Sequence, residues 1–226
     1  NKKANKEIEQ EVYLGDFPLM TDRGTFIING IERAVVSQLI RSAGIFFTSE
    51  IIGDKKYYGA KIIPNRGSWL EFETDANNVI WIKIDRKRKI AATALLRTFG
   101  YSSDEEILEL FKNIDTHPEI SFIKSTLAKD ASSNESEGLI EVYKRIRPGD
   151  LATIDNAKSL IYAMFFNFDR YDFGKVGRYK INQRFNYDLP ITKENRVLRL
   201  DDLVSVISEI IKLNISQKEA DDIDHL

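Results

Sequence analysis

An α+β fold is predicted, a small mixed or antiparallel β region followed by a mainly helical part. Three observations predict it. Residues 25–84 form a succession of short β-branched and aromatic runs broken by turn residues. At residue 89 the period of the apolar positions changes to that of a helix. Near the end, Leu203, Val206, Ile207, Ile210 and Ile211 recur at i, i+3, i+4, i+7 and i+8, the cleanest helical stripe in the chain. Strands first and helices after favour α+β over a doubly wound sheet.

Taken in order, residues 1–10 are polar and Glu11–Leu14 reads as a short strand. Asn29-Gly30 lies between the β-rich runs Thr25–Ile28 and Ile31–Val36. Asn-Gly tolerates the positive φ of a type I′ turn, so a hairpin is predicted. Ile45–Ile52, Tyr57–Ile63, Ser68–Glu73 and Asn78–Ile84 read as further strands, the last two joined by a turn at Asp75–Asn78. Ile90–Phe99 reads as a helix stopped by Gly100. Ser103-Asp104-Glu105-Glu106 is a capping box for the next helix, and Thr116–Glu119 repeats that logic before Ile120–Leu127. Ala131–Glu137 reads as a loop, Gly138–Arg145 as a helix stopped at Arg147-Pro148-Gly149. Thr153 is placed to cap a helix bearing Ala157, Leu160, Ile161, Met164 and Phe165. Asp172 is placed to cap one bearing Val176, Tyr179 and Ile181.

Composition narrows the functional classes. The 226 residues are 42% hydrophobic, enough for a real core. Lys+Arg 33 against Asp+Glu 35 excludes a polycationic surface but leaves room for a local basic face. With no cysteine there is neither a disulfide framework nor a Cys-based zinc site, which fits an intracellular protein. No apolar run reaches the ~18 residues that span a bilayer, and no signal peptide opens the chain. The opening NKKANKEIEQ and closing DDIDHL lead us to expect a segment of a larger protein.

Catalytic patterns are sparse. Only His117 and His225 could serve as imidazole ligands or bases, and no nucleophile elbow or phosphate loop is present. Asp221-Asp222-Ile223-Asp224-His225 lacks the spacing and central glycine of a calcium loop, so no metal site is expected. Basic residues beside aromatics are the better lead. Arg66-Gly67-Ser68-Trp69 sets a guanidinium near an indole, and Lys83, Arg86, Lys87, Arg88 and Lys89 follow. Guanidinium groups neutralise phosphates, and an exposed indole stacks an unpaired base. The ordinary alternative is that Trp69 fills the core and the basic run is solvated. A second basic group, Arg170, Lys175, Arg178, Lys180 and Arg184, flanks Tyr179 and reads equally well as a solvated helix face. Glu7–Glu11 precedes a possible edge strand open to a partner strand, or is simply a terminus without its neighbour.

Longer wording adds a resemblance. Gly15–Phe47 carries Pro18-Leu19-Met20-Thr21, Gly24-Thr25-Phe26, Asn29-Gly30, Glu32-Arg33, Val36-Ser37-Gln38-Leu39 and Arg41-Ser42. Ile62–Phe72 carries Ile62-Ile63-Pro64 and Arg66-Gly67-Ser68-Trp69-Leu70, and Ile84–Lys89 begins Ile84-Asp85-Arg86. Tyr143–Asp150, Ala157–Phe166, Phe168–Asn182 and Asp221–Leu226 follow. In this order the blocks resemble the β subunit of bacterial-type DNA-directed RNA polymerase. Departures are Ile40 for the usual histidine, Ala43 for proline, and Leu151-Ala152 for Pro-Pro.

The resemblance implies a lobe domain at residues 37–226 with the end of a protrusion domain at 1–36. It implies a non-catalytic part in transcription, lining the DNA cleft and contacting the non-template strand or downstream DNA. Arg41, Trp69, Arg86 and Arg88 would touch DNA, with Trp69 as the stacking platform. Arg33, Val36 and Gln38 would sit on the rim of the rifamycin pocket. Glu7, Ile8 and Glu9 match the patch where a transcription-repair coupling factor or CarD-type regulator docks, though acidic Glu7 and apolar Ile8 alter the family's wording. No cofactor is expected here, since the catalytic Mg2+ of such enzymes is held by the partner β′ subunit. Expected partners are promoter and template DNA, the β′, α and ω subunits and a σ factor, in a bacterial cytoplasm. The rival expectation is a module that docks transcription factors through its N-terminal β edge.

Overall fold

The computed structural model describes residues 9–221. The chain divides into two compact units, one ending at Ile40 and one beginning at Arg41.

In the first unit, β1 (Thr25–Ile28) pairs antiparallel with β2 (Ile31–Ala34), with Thr25 opposite Ala34 and Ile28 opposite Ile31. Asn29 (φ 51°) and Gly30 (φ 77°) make the predicted turn, since a type I′ geometry needs positive φ at both centres. A cross-strand bond from Thr25 Oγ1 to Glu32 Oε1 (2.7 Å) supports the register. The outgoing strand is shorter than expected and ends at Ala34, leaving Val35 and Val36 exposed. The expected strand Glu11–Leu14 does not form. A β-rich tetrapeptide becomes a strand only when a neighbour completes its hydrogen-bond ladder, and Val12, Tyr13 and Leu14 stay exposed.

The second unit is built on an antiparallel meander, β3 (Gly44–Ile52), β4 (Lys55–Ile63), β5 (Leu70–Thr74), β6 (Ile80–Ile84) and β7 (Ile90–Ala91), in sequential order. Register makes the core legible. Phe47, Ala60, Phe72, Ile82 and Ile90 stand opposite one another across all five strands, and each is buried. Ile45, Ile62, Leu70 and Ile84 form a second buried row. Their neighbours Phe46, Lys61, Glu71 and Lys83 point to the other face and are half-buried, the period-two signature of a sheet covered on one side.

The helices cover that apolar side. They are α1 (Ala92–Thr98), α2 (Asp104–Phe111), α3 (Phe122–Leu127), α4 (Glu135–Ile146), α5 (Ile154–Ile161), α6 (Gly174–Phe185) and α7 (Leu200–Ser216); a π-helical turn, Tyr162–Phe166, extends α5. The predicted stripe of α7 is entirely buried. Asn214 ties it to the sheet, accepting from the Tyr58 backbone N–H (3.3 Å) and donating to Thr74 Oγ1 (3.2 Å).

Several boundaries differ from expectation. Ile90 belongs to the sheet rather than to a helix, because the chain reverses at Ile84–Lys87 and brings Ile90 opposite Ile82. Ser103 and Glu106 form the expected capping box, and backbone N–H groups of Ser103 and Ser102 hold the Glu106 carboxyl below its ordinary pKa. For α3 the cap is Ser121 instead of Thr116, while His117 Nδ1 accepts from the N–H groups of Glu119 and Ile120 (3.2 Å each). Asn134 caps α4, so helix replaces the expected loop from Glu135 onward. Thr153 caps α5 as expected. On α6 only Ile181 of the expected apolar face is buried; Val176 and Tyr179 are exposed.

Two arginines are interior. Arg97 joins Asp104 and Asp130, and Arg178 makes a two-pronged pair with Asp202 (2.8 and 2.9 Å) in which neither side chain is exposed. Arg178, which the sequence places in a basic group beside Tyr179, is a core residue and not part of a solvated face. Tyr171 lies nearby, and burial, reinforced by Asp202, pushes its phenol well above the usual tyrosine pKa. Truncating one member of a buried pair strands the other's charge. Asp202→Ala is expected to lower the unfolding free energy by about 3–5 kcal/mol in urea titrations. The double change Arg178→Met/Asp202→Leu should cost less than Asp202→Ala alone.

Candidate nucleic-acid interface

Strand register gathers the sequence-predicted DNA residues. In the row Ile45–Ile62–Leu70–Ile84, β3 begins, β4 ends, β5 begins and β6 ends on the same side. Trp69 precedes Leu70 by one residue, Arg86 follows Ile84 by two, and Arg41 precedes Ile45 by four. All three therefore emerge from one end of the sheet. Arg41 lies three residues before β3 begins and is half-buried.

Trp69 and Arg86 are in direct contact. The Arg86 guanidinium carbon lies 5.9 Å from the indole centroid, within cation–π range. Trp69 is half-buried, so it is neither a core residue nor a free side chain. Its backbone is clamped reciprocally: the Trp69 N–H donates to Asp85 Oδ1 (2.8 Å) and the Asp85 N–H donates to the Trp69 carbonyl (3.0 Å). Gly67, Trp69, Asp85 and Arg86 wall a shallow cleft of about 310 Å3.

Of the basic run, only part is available. Lys83 pairs with Glu73 (2.5 Å), Lys87 donates to the Ile146 carbonyl (2.5 Å), and Lys89 sits over the Trp81 ring at 4.6 Å. Trp81 itself donates to Asp75 Oδ2 (2.8 Å); burial raises the Asp75 pKa, but this bond and two backbone N–H groups outweigh it and the net shift is downward. Trp81 is thus the structural tryptophan. Arg86 keeps 79% of its side chain exposed, with its nearest carboxylate oxygen, on Glu71, 3.9 Å away, and Arg88 is exposed. In the second basic group Lys180 reaches Ser42 Oγ (3.0 Å) and Arg184 pairs with Asp221 (2.8 Å), while Arg170 and Lys175 are exposed.

Sequence reasoning missed what supports Trp69. Arg66 and Asp172 exchange backbone hydrogen bonds (3.0 and 2.8 Å), docking the Asn65–Ser68 loop on the segment before α6. Gly67 is obligatory there: its φ is +122°, and a Cβ would fall 2.6 Å from the Tyr171 ring and 3.0 Å from the Arg170 carbonyl. Phe168 is ringed by Arg66, Lys193 and Arg196 at 5.8, 5.5 and 5.1 Å. Asp85 carried no signal in the sequence beyond its place in Ile84-Asp85-Arg86.

The remaining predicted residues lie elsewhere. Arg33, Val36 and Gln38 are exposed residues of the hairpin unit, Arg33 standing opposite Phe26. Glu9 is exposed; Glu7 and Ile8 lie outside the described residues, as does His225. Among the described residues no group of three or more His, Cys, Asp or Glu side chains is placed to hold a metal ion, and no helix is long and apolar enough to cross a membrane.

Fold and cleft together define an α+β module that presents one aromatic face and exposed guanidinium groups at a sheet end. Residues 34–226 match the family described as RNA polymerase Rpb2, domain 2, and the chain belongs to that family. It is 47% identical over 226 residues, 99% of its length, to a protein named DNA-directed RNA polymerase subunit beta from Syntrophomonas wolfei. Identity is 43% over 227 residues to the protein of that name from Gloeobacter violaceus and 44% to that from Thermosynechococcus vestitus. The chain spans about one fifth (20%) of the length of each of these relatives.

Gly67→Ala is expected to force the Asn65–Ser68 loop off Tyr171, destabilising the chain by about 1–3 kcal/mol in urea unfolding. The Trp69 emission spectrum should shift with it. Unchanged stability and emission would show that the loop absorbs a Cβ freely.

Proposed function

We propose that the chain is a lobe module of a DNA-directed RNA polymerase β subunit. Residues 37–226 form the lobe and residues 1–36 the end of the adjoining protrusion domain. The module lines the DNA cleft and holds the unpaired non-template strand, while the chemistry of nucleotide addition belongs to Mg2+ in the β′ subunit. The single observation that carries this reading is Trp69, half-buried on a clamped backbone with Arg86 beside its ring. An indole so placed offers a stacking face for an unpaired base, and half-buried Arg41 with exposed Arg86 and Arg88 supplies cations for the flanking phosphates.

Within this proposal the partners are promoter DNA, β′, α, ω and a σ factor, in a bacterial cytoplasm, and Arg33, Val36 and Gln38 contribute to a rifamycin-pocket rim. The rival reading, factor docking on an N-terminal β edge, draws on Glu7, Ile8 and Glu9, of which Glu9 alone lies among the described residues, exposed and outside any strand.

Fluorescence anisotropy with labelled bubble DNA at low salt tests the proposal. Trp69→Ala should weaken binding about tenfold, within the range of one lost base stack. Circular dichroism should stay unchanged, and wild-type affinity should fall as salt rises. Equal affinity of Trp69→Ala and wild type, or no binding by wild type, overturns it.

A further inference from the structure

The turn that returns β7 to the sheet holds an arginine at a backbone conformation that arginine does not favour. Asp85 (φ 48°) and Arg86 (φ 58°) are consecutive left-handed residues, closed by the Lys87 N–H to the Ile84 carbonyl (3.0 Å). Asparagine or glycine adopts such a φ at less cost than arginine does. Glycine at position 86 would relieve the backbone, yet an arginine stands there and its side chain secures nothing in the core, being 79% exposed. Its neighbours are the Glu71 carboxylate, with Oε1 3.9 Å from Arg86 Nε, and the indole, with the guanidinium carbon 5.9 Å from the ring centroid.

That separation has a consequence for a stacked base. Planar groups in van der Waals contact lie about 3.5 Å apart, so a base between indole and guanidinium needs about 7 Å. The guanidinium carbon now lies closer to the ring centroid than that, at 5.9 Å, so a base enters only when the long, exposed Arg86 side chain swings outward. We infer that Trp69 and Arg86 form a two-jawed clamp for a single unpaired base, the indole as the fixed jaw and the guanidinium as the moving one. The inference rests on the nucleic-acid reading above and changes the role of Arg86 from phosphate neutraliser to stacking partner. A guanidinium is planar and stacks on rings, whereas an ammonium of equal charge does not. Asp85 is a positioning residue: its carboxylate holds the Trp69 N–H (2.8 Å) and so keeps the fixed jaw in register with the moving one.

Arg86→Lys separates the two roles, because it keeps the charge and removes the plane. With the same bubble DNA, Arg86→Lys should lose about tenfold in affinity, like a lost base stack, with the salt dependence of log K unchanged. Arg86→Gln should show a similar loss, again without altering the salt slope. An abasic site scanned through the unpaired strand should reveal one position at which wild type and Arg86→Lys bind equally. In 19F spectra of the 5-fluorotryptophan protein, the Trp69 resonance should move on binding and that of Trp81 should not.

If Arg86→Lys binds like wild type, and Arg86→Gln lowers the salt slope by the ~0.7 of one single-strand phosphate contact, the clamp is wrong. The Trp69 stack survives in that case provided Trp69→Ala still weakens binding. If Trp69→Ala has no effect, or wild type does not bind, the nucleic-acid reading and the clamp fall together.

Discussion

Asp172 is the residue through which the sheet and the helices agree on a geometry. Its backbone bridges Arg66 in both directions, fixing the β4–β5 loop. Its carboxylate accepts from the Gly174 N–H (2.6 Å), opening α6, and from Arg196 Nε and Nη2 (2.9 and 2.5 Å). The Phe173 N–H returns a bond to the Arg196 carbonyl (2.8 Å). Three segments distant in sequence, around Arg66, Asp172 and Arg196, thus meet at one buried residue. A charge this deep costs several kcal/mol to desolvate, and it is tolerable because each oxygen is met by a charged or backbone donor. Trp69 lies three residues from this junction, so the aspartate sets the direction in which β5 departs and the indole with it.

The same interior electrostatics decide which cations are free. A cation paired with a carboxylate of the fold, interior or at the surface, has less charge to spare for a phosphate. Arg178 is spent on Asp202, Arg97 on Asp104 and Asp130, Arg184 on Asp221, and Lys83 on Glu73. The exposed remainder near the sheet end is sparse, and that shifts the burden of any nucleic-acid contact from bulk charge to the aromatic face. A module of this kind contributes contacts that act collectively with those of neighbouring surfaces.

How much of this was legible in the sequence depends on where each cause lies. Asn29-Gly30 announced its turn because the residues themselves accept positive φ. Asp85-Arg86 adopts the same geometry without the residues that signal it, so the return of Ile90 to the sheet was hidden. Capping at Ser103 and Thr153 was visible because the cap and its target are three residues apart. Asp172 could be read only as a helix cap, since Arg66 and Arg196 are remote in sequence. Arg178 likewise looked solvated until its partner Asp202 was brought beside it. Trp69 and Arg86 were marked by residue type and by family likeness, but their contact is a product of strand register.

Register also explains why a nearly neutral chain can have a direction. Ile84 stands at the Trp69 end of β6 and Ile80 at the other, where the Ile80 N–H donates to Thr126 Oγ1 of α3 (2.9 Å). Beside α3, residues 104–119 carry Asp104, Glu105, Glu106, Glu109, Asp115 and Glu119 against the single cation Lys112. Glu105, Glu109, Asp115 and Glu119, with Lys112 and Lys124, border a groove of about 790 Å3 between α2 and α3. Five strand residues span roughly 17 Å, about twice the ~8 Å over which physiological salt screens exposed charges. Each end of the sheet therefore presents its own field to whatever approaches it. The acidic run of residues 104–119 and the exposed Arg86 and Arg88 thus stand toward opposite ends of β6, an asymmetry that the net charge of -2 does not reveal.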